Sequence, residues 1–479
     1  MTTHTQTQID AFKFDRRWFA LFFLCQVGLL AAYLWLPPRL FFTGLAGVGG
    51  GVVLVLLMLY PWIVVPALVA TTSLDIAGQL IEKTALGIPL TGFHLSLVLM
   101  FGALATNIFL RRRLVFPPFE LAPPLFIFLG MMAISLTYSP NQPEATIGFV
   151  RTFFLIVFLY GVQVMIDSKK AITMVVVSMG LAIIISSTLA VAQIFSEKFY
   201  LPASFVIAVG ANAPRSTGTF HNPNTFGTFL MVGMVFFAGI LMNFRMARWK
   251  QLCLVICIGF GLTGLVTTFS RANWLAALVG SLVILYIAKK LRYVLIAAVV
   301  GFLIILAIKE FVPFAEHIFE RFTSIFTIFE QFGSIGRESS SARIYFVFAG
   351  MEMFMENPLL GVGWRAFPLL FDDYKSPDFP NWVPTKESHT LFANIMAELG
   401  IIGIVAAAWI VGRTLKRAIE GMRTTDDEYL RAILVSLVAV FVAFQVSLCF
   451  TADFENNFLW FFTGMIFAVV QLSEKTEKQ

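Results

Sequence analysis

The chain has 479 residues, 58% of them hydrophobic and 13% charged, with a formal net charge of +6, whereas a soluble domain carries roughly 45–50% apolar and about 25% charged residues. That composition excludes an ordinary soluble fold. The Lys and Arg residues sit in short clusters between apolar runs, which assigns them to orientation in a bilayer and away from nucleic acid.

In chain order, apolar runs near the length of roughly 17–25 residues that a membrane helix needs fall at 18–36, 41–58, 61–77, 90–110, 121–137, 147–165, 171–193, 225–243, 251–269, 273–288, 291–308, 389–411, 431–450 and 457–472. Lys13, Arg16 and Arg17 precede the first run, and no small-residue cleavage pattern follows it. It reads as a transmembrane helix and not as a removable signal. Two neighbouring pairs are divided mainly by Tyr60-Pro61 and by Lys289, Lys290 and Arg292. The expected fold is an all-α polytopic membrane protein of about 12–14 transmembrane helices. Cys25, Cys253, Cys257 and Cys449 all lie inside apolar runs and read as small apolar residues.

With the N-terminus in the cytoplasm, the clusters Arg111 to Arg113, Lys169-Lys170, Arg245 to Lys250, Lys289 to Arg292 and Arg413 to Arg423 all fall on the cytoplasmic side, as the positive-inside rule requires. Both termini are then cytoplasmic. Arg215, Arg271 and the segment from Lys309 to about Ser388 fall outside. That segment exceeds the roughly 60-residue loop length that the rule governs. It opens at 311–332 with Phe and Ile at helical spacing, as in surface-lying amphipathic helices. A Gly-Ser stretch at 333–341, a helix-like run from Arg343 to Met355 and a turn-rich portion follow. Three parts result: a helical bundle at 1–308 with an arginine-bearing outer loop at 194–224, a large outer loop with short helices at 309–388, and C-terminal helices with a cytoplasmic tail at 389–479.

Ionisable groups near a bilayer that are not cytoplasmic anchors are functional candidates. In the 212–228 stretch NAPRSTGTFHNPNTFGT, Arg215 offers a planar fork suited to phosphate oxygens, and His221, Asn222 and Asn224 add polar contacts. Arg271 stands at the outer end of a helix, Arg343 opens the helix-like run of the loop, and Arg151 lies in the outer third of its helix. His389 stands at the outer mouth of a helix that holds Glu398. A histidine there can take a proton from a hydroxyl, and nearby arginines would keep it unprotonated. Asp372-Asp373 reads as a solvated acidic pair. The chemistry implied is displacement at a carbon whose leaving group is a phosphate or diphosphate, with no cofactor and no metal ligand set.

GTFHNPNTFG after Arg215, SRANWLA from Ser270, the Arg343 helix running into ENPLLGVGW at 356–364, and ESHTLFANIMAELGIIG together resemble the O-antigen ligase and Wzy-type polymerase superfamily of bacterial GT-C-type membrane glycosyltransferases, over about 145–470. The resemblance implies a metal-independent, inverting transfer of a glycan from an undecaprenyl diphosphate carrier to an acceptor hydroxyl, either on lipid A core or on a carrier-linked glycan, at the periplasmic face of the inner membrane. It also admits a chain-length regulator as partner. Arg215 and Arg343, with Arg271, would grip the diphosphate, and His389 would assist the acceptor; Arg151 would line either a polar cavity or the diphosphate pocket. Thr390 stands where the family often has Asn, which keeps His221 as the second candidate base. A lipid-linked oligosaccharide flippase or other polytopic transporter is the alternative; such folds concentrate polar residues at mid-membrane and show internal repeats, whereas these charges gather at one face.

Overall fold

The computed structural model describes residues 64–73, 92–106, 108, 116–200, 215–292, 339–377, 379 and 389–477, all within the unit Trp62–Gln479. The expected helices at 18–36 and 41–58, all but the first two residues of the one at 291–308, the amphipathic stretch at 311–332 and the cluster Arg111 to Arg113 lie outside the described residues. Among the described residues there are thirteen α-helices and no strand. In chain order they are α1 Val64–Ser73, α2 Gly92–Thr106, α3 Ala122–Ser135, α4 Gln142–Met165, α5 Lys169–Phe195, α6 Pro223–Asn243, α7 Arg248–Thr267, α8 Arg271–Ile287, α9 Ser339–Glu356, α10 Phe367–Tyr374, α11 Leu391–Thr424, α12 Glu428–Leu448 and α13 Asn457–Glu477. Seven of them, α4 to α7 and α11 to α13, are long and apolar enough to cross a membrane, and α1, α2, α3 and α8 are shorter apolar helices. The protein is an all-α polytopic membrane protein.

The starts of the helices follow from their capping residues. Ser168 accepts from the Ala171 N–H at 3.3 Å, Asn222 from the Asn224 N–H at 2.7 Å ahead of Pro223, and Asp427 from the Leu430 N–H at 3.0 Å. Each side chain satisfies a donor that the first helical turn leaves without a partner. The bundle core is α12, which packs on α6, α8 and α11, with α13 against α4. Cys257 is buried, whereas Cys253 and Cys449 face outward.

Because consecutive helices run up and down, the ends sort by chemistry. One end gathers the basic clusters. There Arg413 and Arg417 both pair with Glu120, at 3.1 and 2.8 Å, Arg417 also reaches Glu474 at 2.8 Å, and Lys169 pairs with Asp427. These partners explain why α11 continues to Thr424, well past the apolar run that ends at 411: the helix leaves the apolar layer with its charges matched. The other end carries Arg151, Arg215, Arg271 and His389.

On this second end the described part of the long loop is not detached. Phe346 and Met353 of α9 form one apolar cluster with Phe367, Phe371 and Phe379, and this cluster packs on Ala397 of α11. The docking breaks α11. Gly400 takes φ 63° inside the helix, and the loop supplies the hydrogen bonds the break displaces. Val362 N–H donates to Ala397 O at 2.9 Å, Gly363 N–H to Glu398 O at 3.0 Å, and Ile401 N–H to Pro358 O at 2.8 Å. A β-carbon on Gly400 would lie 2.5 Å from Leu359 O, so only glycine fits there.

Candidate active site

A cavity of about 380 Å³ opens at the end of the bundle where α6 and α11 begin and α12 stops. Its volume is typical of small-molecule sites, which span about 300–1,000 Å³. Of the residues picked out from the sequence, Arg151, Asn222, Asn224, His389 and Glu398 line it. Arg215 is joined to it through Asn224. Its guanidinium donates from NH2 to Asn224 Oδ1 at 2.7 Å and from Nε to Thr268 O at 2.7 Å.

The turn that Arg215 grips is the one that precedes Arg271. Thr268 and Phe269, the latter with φ 49°, connect α7 to α8. Arg343, on α9, lies close enough to Arg271 to feel its charge. Burial, and then the Arg271 cation, lower the Arg343 pKa to about 10. Its Nε is buried without a hydrogen-bond partner. Arg271 and Arg343 therefore form a cationic pair, with Arg215 held on the turn that precedes Arg271, and none of the three lines the cavity. His221 is exposed and does not line it either.

Three further charged residues complete the cavity wall. Arg151 NH1 pairs with Glu455 Oε2 at 3.0 Å, and the other oxygen of Glu455 accepts from Arg365 NH2. Glu455 is buried while the two arginines keep part of their surface open. Asp453, in the same loop between α12 and α13, also lines the cavity. Burial raises its pKa, against the lowering pull of its hydrogen bond from Asn456 and of Arg151 and Arg365, while Glu455 pushes it up further. Glu398 accepts from the Phe367 N–H at 3.1 Å and so caps α10.

Two cavity residues hold left-handed backbone without being glycine: His389 at φ 55° and Arg365 at φ 60°. Such conformations cost about 1–3 kcal/mol each and persist where surrounding contacts over-determine them. For His389 one such contact is Phe346, whose ring centroid lies 5.8 Å away. For Arg365 they are the Asn141 side-chain amide donating to its carbonyl at 3.2 Å, the Glu455 pair and the face of Trp364, 5.8 Å from the guanidinium. Asp372 is ion-paired with Lys375 at 2.9 Å.

Sequence reasoning passed over Arg365, Asp453 and Glu455. The signal was present in TADFENNF at 451–458, where two acids stand in a short outer loop between strongly apolar helices, a costly place for charge without partners. Arg365 was obscured by its place in a turn-rich stretch.

Residues 255–408, which hold Arg271, Arg343, Arg365, His389 and Glu398, match the family described as Wzy_C, O-Antigen ligase. The chain is also similar to the teichuronic acid biosynthesis protein TuaE of Bacillus subtilis (strain 168), at 23% identity over 277 residues, covering 55% of this chain and 53% of that protein. It thus spans about half the length of the curated relative it matches. The resemblance read from the motifs agrees with this match: residues 255–408 are similar to the O-antigen ligase domain described as Wzy_C.

Proposed function

We propose that the protein is a GT-C-type glycosyltransferase of the bacterial inner membrane that moves a glycan from an undecaprenyl diphosphate carrier to an acceptor hydroxyl at the periplasmic face. The observation that carries this reading is the arrangement around Asn224. Its side-chain oxygen accepts from Arg215, and Asn224 lines the same cavity as His389, so a guanidinium stands directly behind the wall of the cavity that holds the base.

In the reaction, an imidazole nitrogen of His389 takes the proton of the acceptor hydroxyl. The oxygen bonds to the anomeric carbon from the face opposite the diphosphate. The bond from that carbon to the diphosphate oxygen breaks, and its electron pair stays on the diphosphate, where Arg215, Arg271 and Arg343 stabilise the growing charge. The anomeric configuration inverts, and the balance of charge needs no metal ion. The domain matched over 255–408 supports the reaction class, and a ligase and a polymerase differ only in the acceptor.

Purified protein given a carrier-linked oligosaccharide should release undecaprenyl diphosphate only after an acceptor is added, with chelator present. Run with lipid A core and with a carrier-linked repeat unit as separate acceptors, the same assay separates ligase from polymerase. Release that ignores both acceptors, or that needs a divalent ion, contradicts the reading.

A further inference from the structure

We infer that the chamber lined by Arg151, Arg365, Asp453 and Glu455 is the acceptor-sugar site, and that the donor diphosphate lies beside it on Arg215, Arg271 and Arg343. The assignment rests on the glycosyl transfer proposed above and divides its site in two.

Charge separates the two halves. The chamber wall carries two arginines against three carboxylates, Glu398, Asp453 and Glu455. Both oxygens of Glu455 are already engaged by Arg151 and Arg365, so much of the guanidinium charge is cancelled within the wall. A diphosphate entering here would meet like charge at close range. A sugar would not. Its hydroxyls both donate and accept, and alternating carboxylates, guanidinium forks and the amides of Asn222 and Asn394 supply both kinds of partner. Asp453 Oδ2 accepts from Asn456 at 2.8 Å, which leaves Oδ1 for a ligand hydroxyl.

The arginine patch has the opposite character. Arg215 is tied to the turn that precedes Arg271, and Arg343 feels the charge of Arg271. The Arg343 Nε is buried beside Arg271 with no hydrogen-bond partner, a cost that an anion bound there would relieve. His389 stands at the boundary. It lines the chamber, and its ring touches Phe346, three residues along α9 from Arg343 and on the same helical face. For inversion the base and the leaving group must flank the anomeric carbon. With the diphosphate on the arginine side, the acceptor hydroxyl comes from the chamber side.

The test is steady-state transfer by the purified full-length protein, with donor and acceptor varied separately, for Asp453→Asn and Glu455→Gln. The expected result is a rise in acceptor KM of about tenfold to a hundredfold, the scale of a lost hydrogen bond to a charged group, with donor KM unchanged. Arg343→Ala should give the reverse split. Removing single hydroxyls from the acceptor should find one whose loss weakens the wild type but adds nothing in Asp453→Asn. An unchanged donor KM also shows that the variant is folded, and Asp453→Asn serves if Glu455→Gln does not fold. A rise confined to donor KM, or kinetics like the wild type in both variants, overturns the assignment. If the wild type itself shows no transfer, the reaction proposed above fails while the chamber can still be judged. Calorimetry with free acceptor oligosaccharide should then show binding to the wild type that Asp453→Asn loses, and equal or absent binding overturns it.

Discussion

The backbone N–H of Gly363 donates to the carbonyl oxygen of Glu398 at 3.0 Å, which makes the turn before Trp364 and Arg365 and the broken helix behind His389 one mechanical unit. Gly363 holds φ 108°, and a β-carbon there would lie 2.7 Å from Ser139 Cα. Gly400 is similarly confined by Leu359. Gly363→Ala and Gly400→Ala should each cost about 1–3 kcal/mol in backbone strain alone, seen as a lower thermal unfolding temperature in detergent. Transfer should fall more steeply than stability, because the same tie sets the distance between Arg365 and His389.

Arg343 should show the opposite relation between stability and activity. A base whose pKa is lowered on folding, here to about 10, destabilises the folded state at neutral pH, and that cost is relieved as pH rises through the lowered value. Arg343→Met should therefore raise unfolding stability, by on the order of 1–3 kcal/mol, while weakening binding of undecaprenyl diphosphate. Thermal unfolding with and without the carrier measures both effects. A variant that loses stability would show that Arg343 is a structural cation.

At the far end, Asp427 tests the bundle without touching the site. Burial alone would raise its carboxyl, but the hydrogen bonds from Lys169 and from the Leu430 N–H outweigh burial and hold it below the ordinary carboxylate value. For an acid lowered in this way, the stabilisation is full above its ordinary pKa and is lost as pH falls through the lowered one. Asp427→Asn keeps the helix cap and should flatten the acid limb of the stability profile. Asp427→Ala also loses the cap and should cost about 1 kcal/mol more. Transfer at neutral pH should persist in both, read in the assay described above.

The helices were legible because lipid demands long apolar runs: nine of those marked at 121–288 and 389–472 coincide with helices to within a few residues at most ends, and seven of these nine are long and apolar enough to cross a membrane. The break at Gly400 was not. ELGIIGI reads as continuous helix, and only the 358–363 segment, distant in sequence, converts it into a turn. The site was half legible for the same reason. Arg215 and His389 stand in motifs dense with turn residues, whereas Glu455 acquires its meaning only when α4 and the 364–365 turn bring Arg151 and Arg365 to it.

Topography gives a further expectation. In a background without the four native cysteines, His221→Cys and Lys416→Cys, both at exposed positions on opposite ends of the bundle, should react with an impermeant thiol reagent from opposite faces of the membrane, His221→Cys from the periplasmic face. Labelling of both from one face contradicts the orientation.

The most direct measurement is acceptor-dependent release of undecaprenyl diphosphate by purified Arg215→Ala and His389→Ala beside the wild type, with thermal unfolding recorded on the same samples. Removing the diphosphate fork or the base should reduce release at least a hundredfold, on the scale of about 10²–10⁴ for general acid–base catalysis, with the unfolding temperature close to the wild type. Release at the wild-type rate in either folded variant would contradict the account.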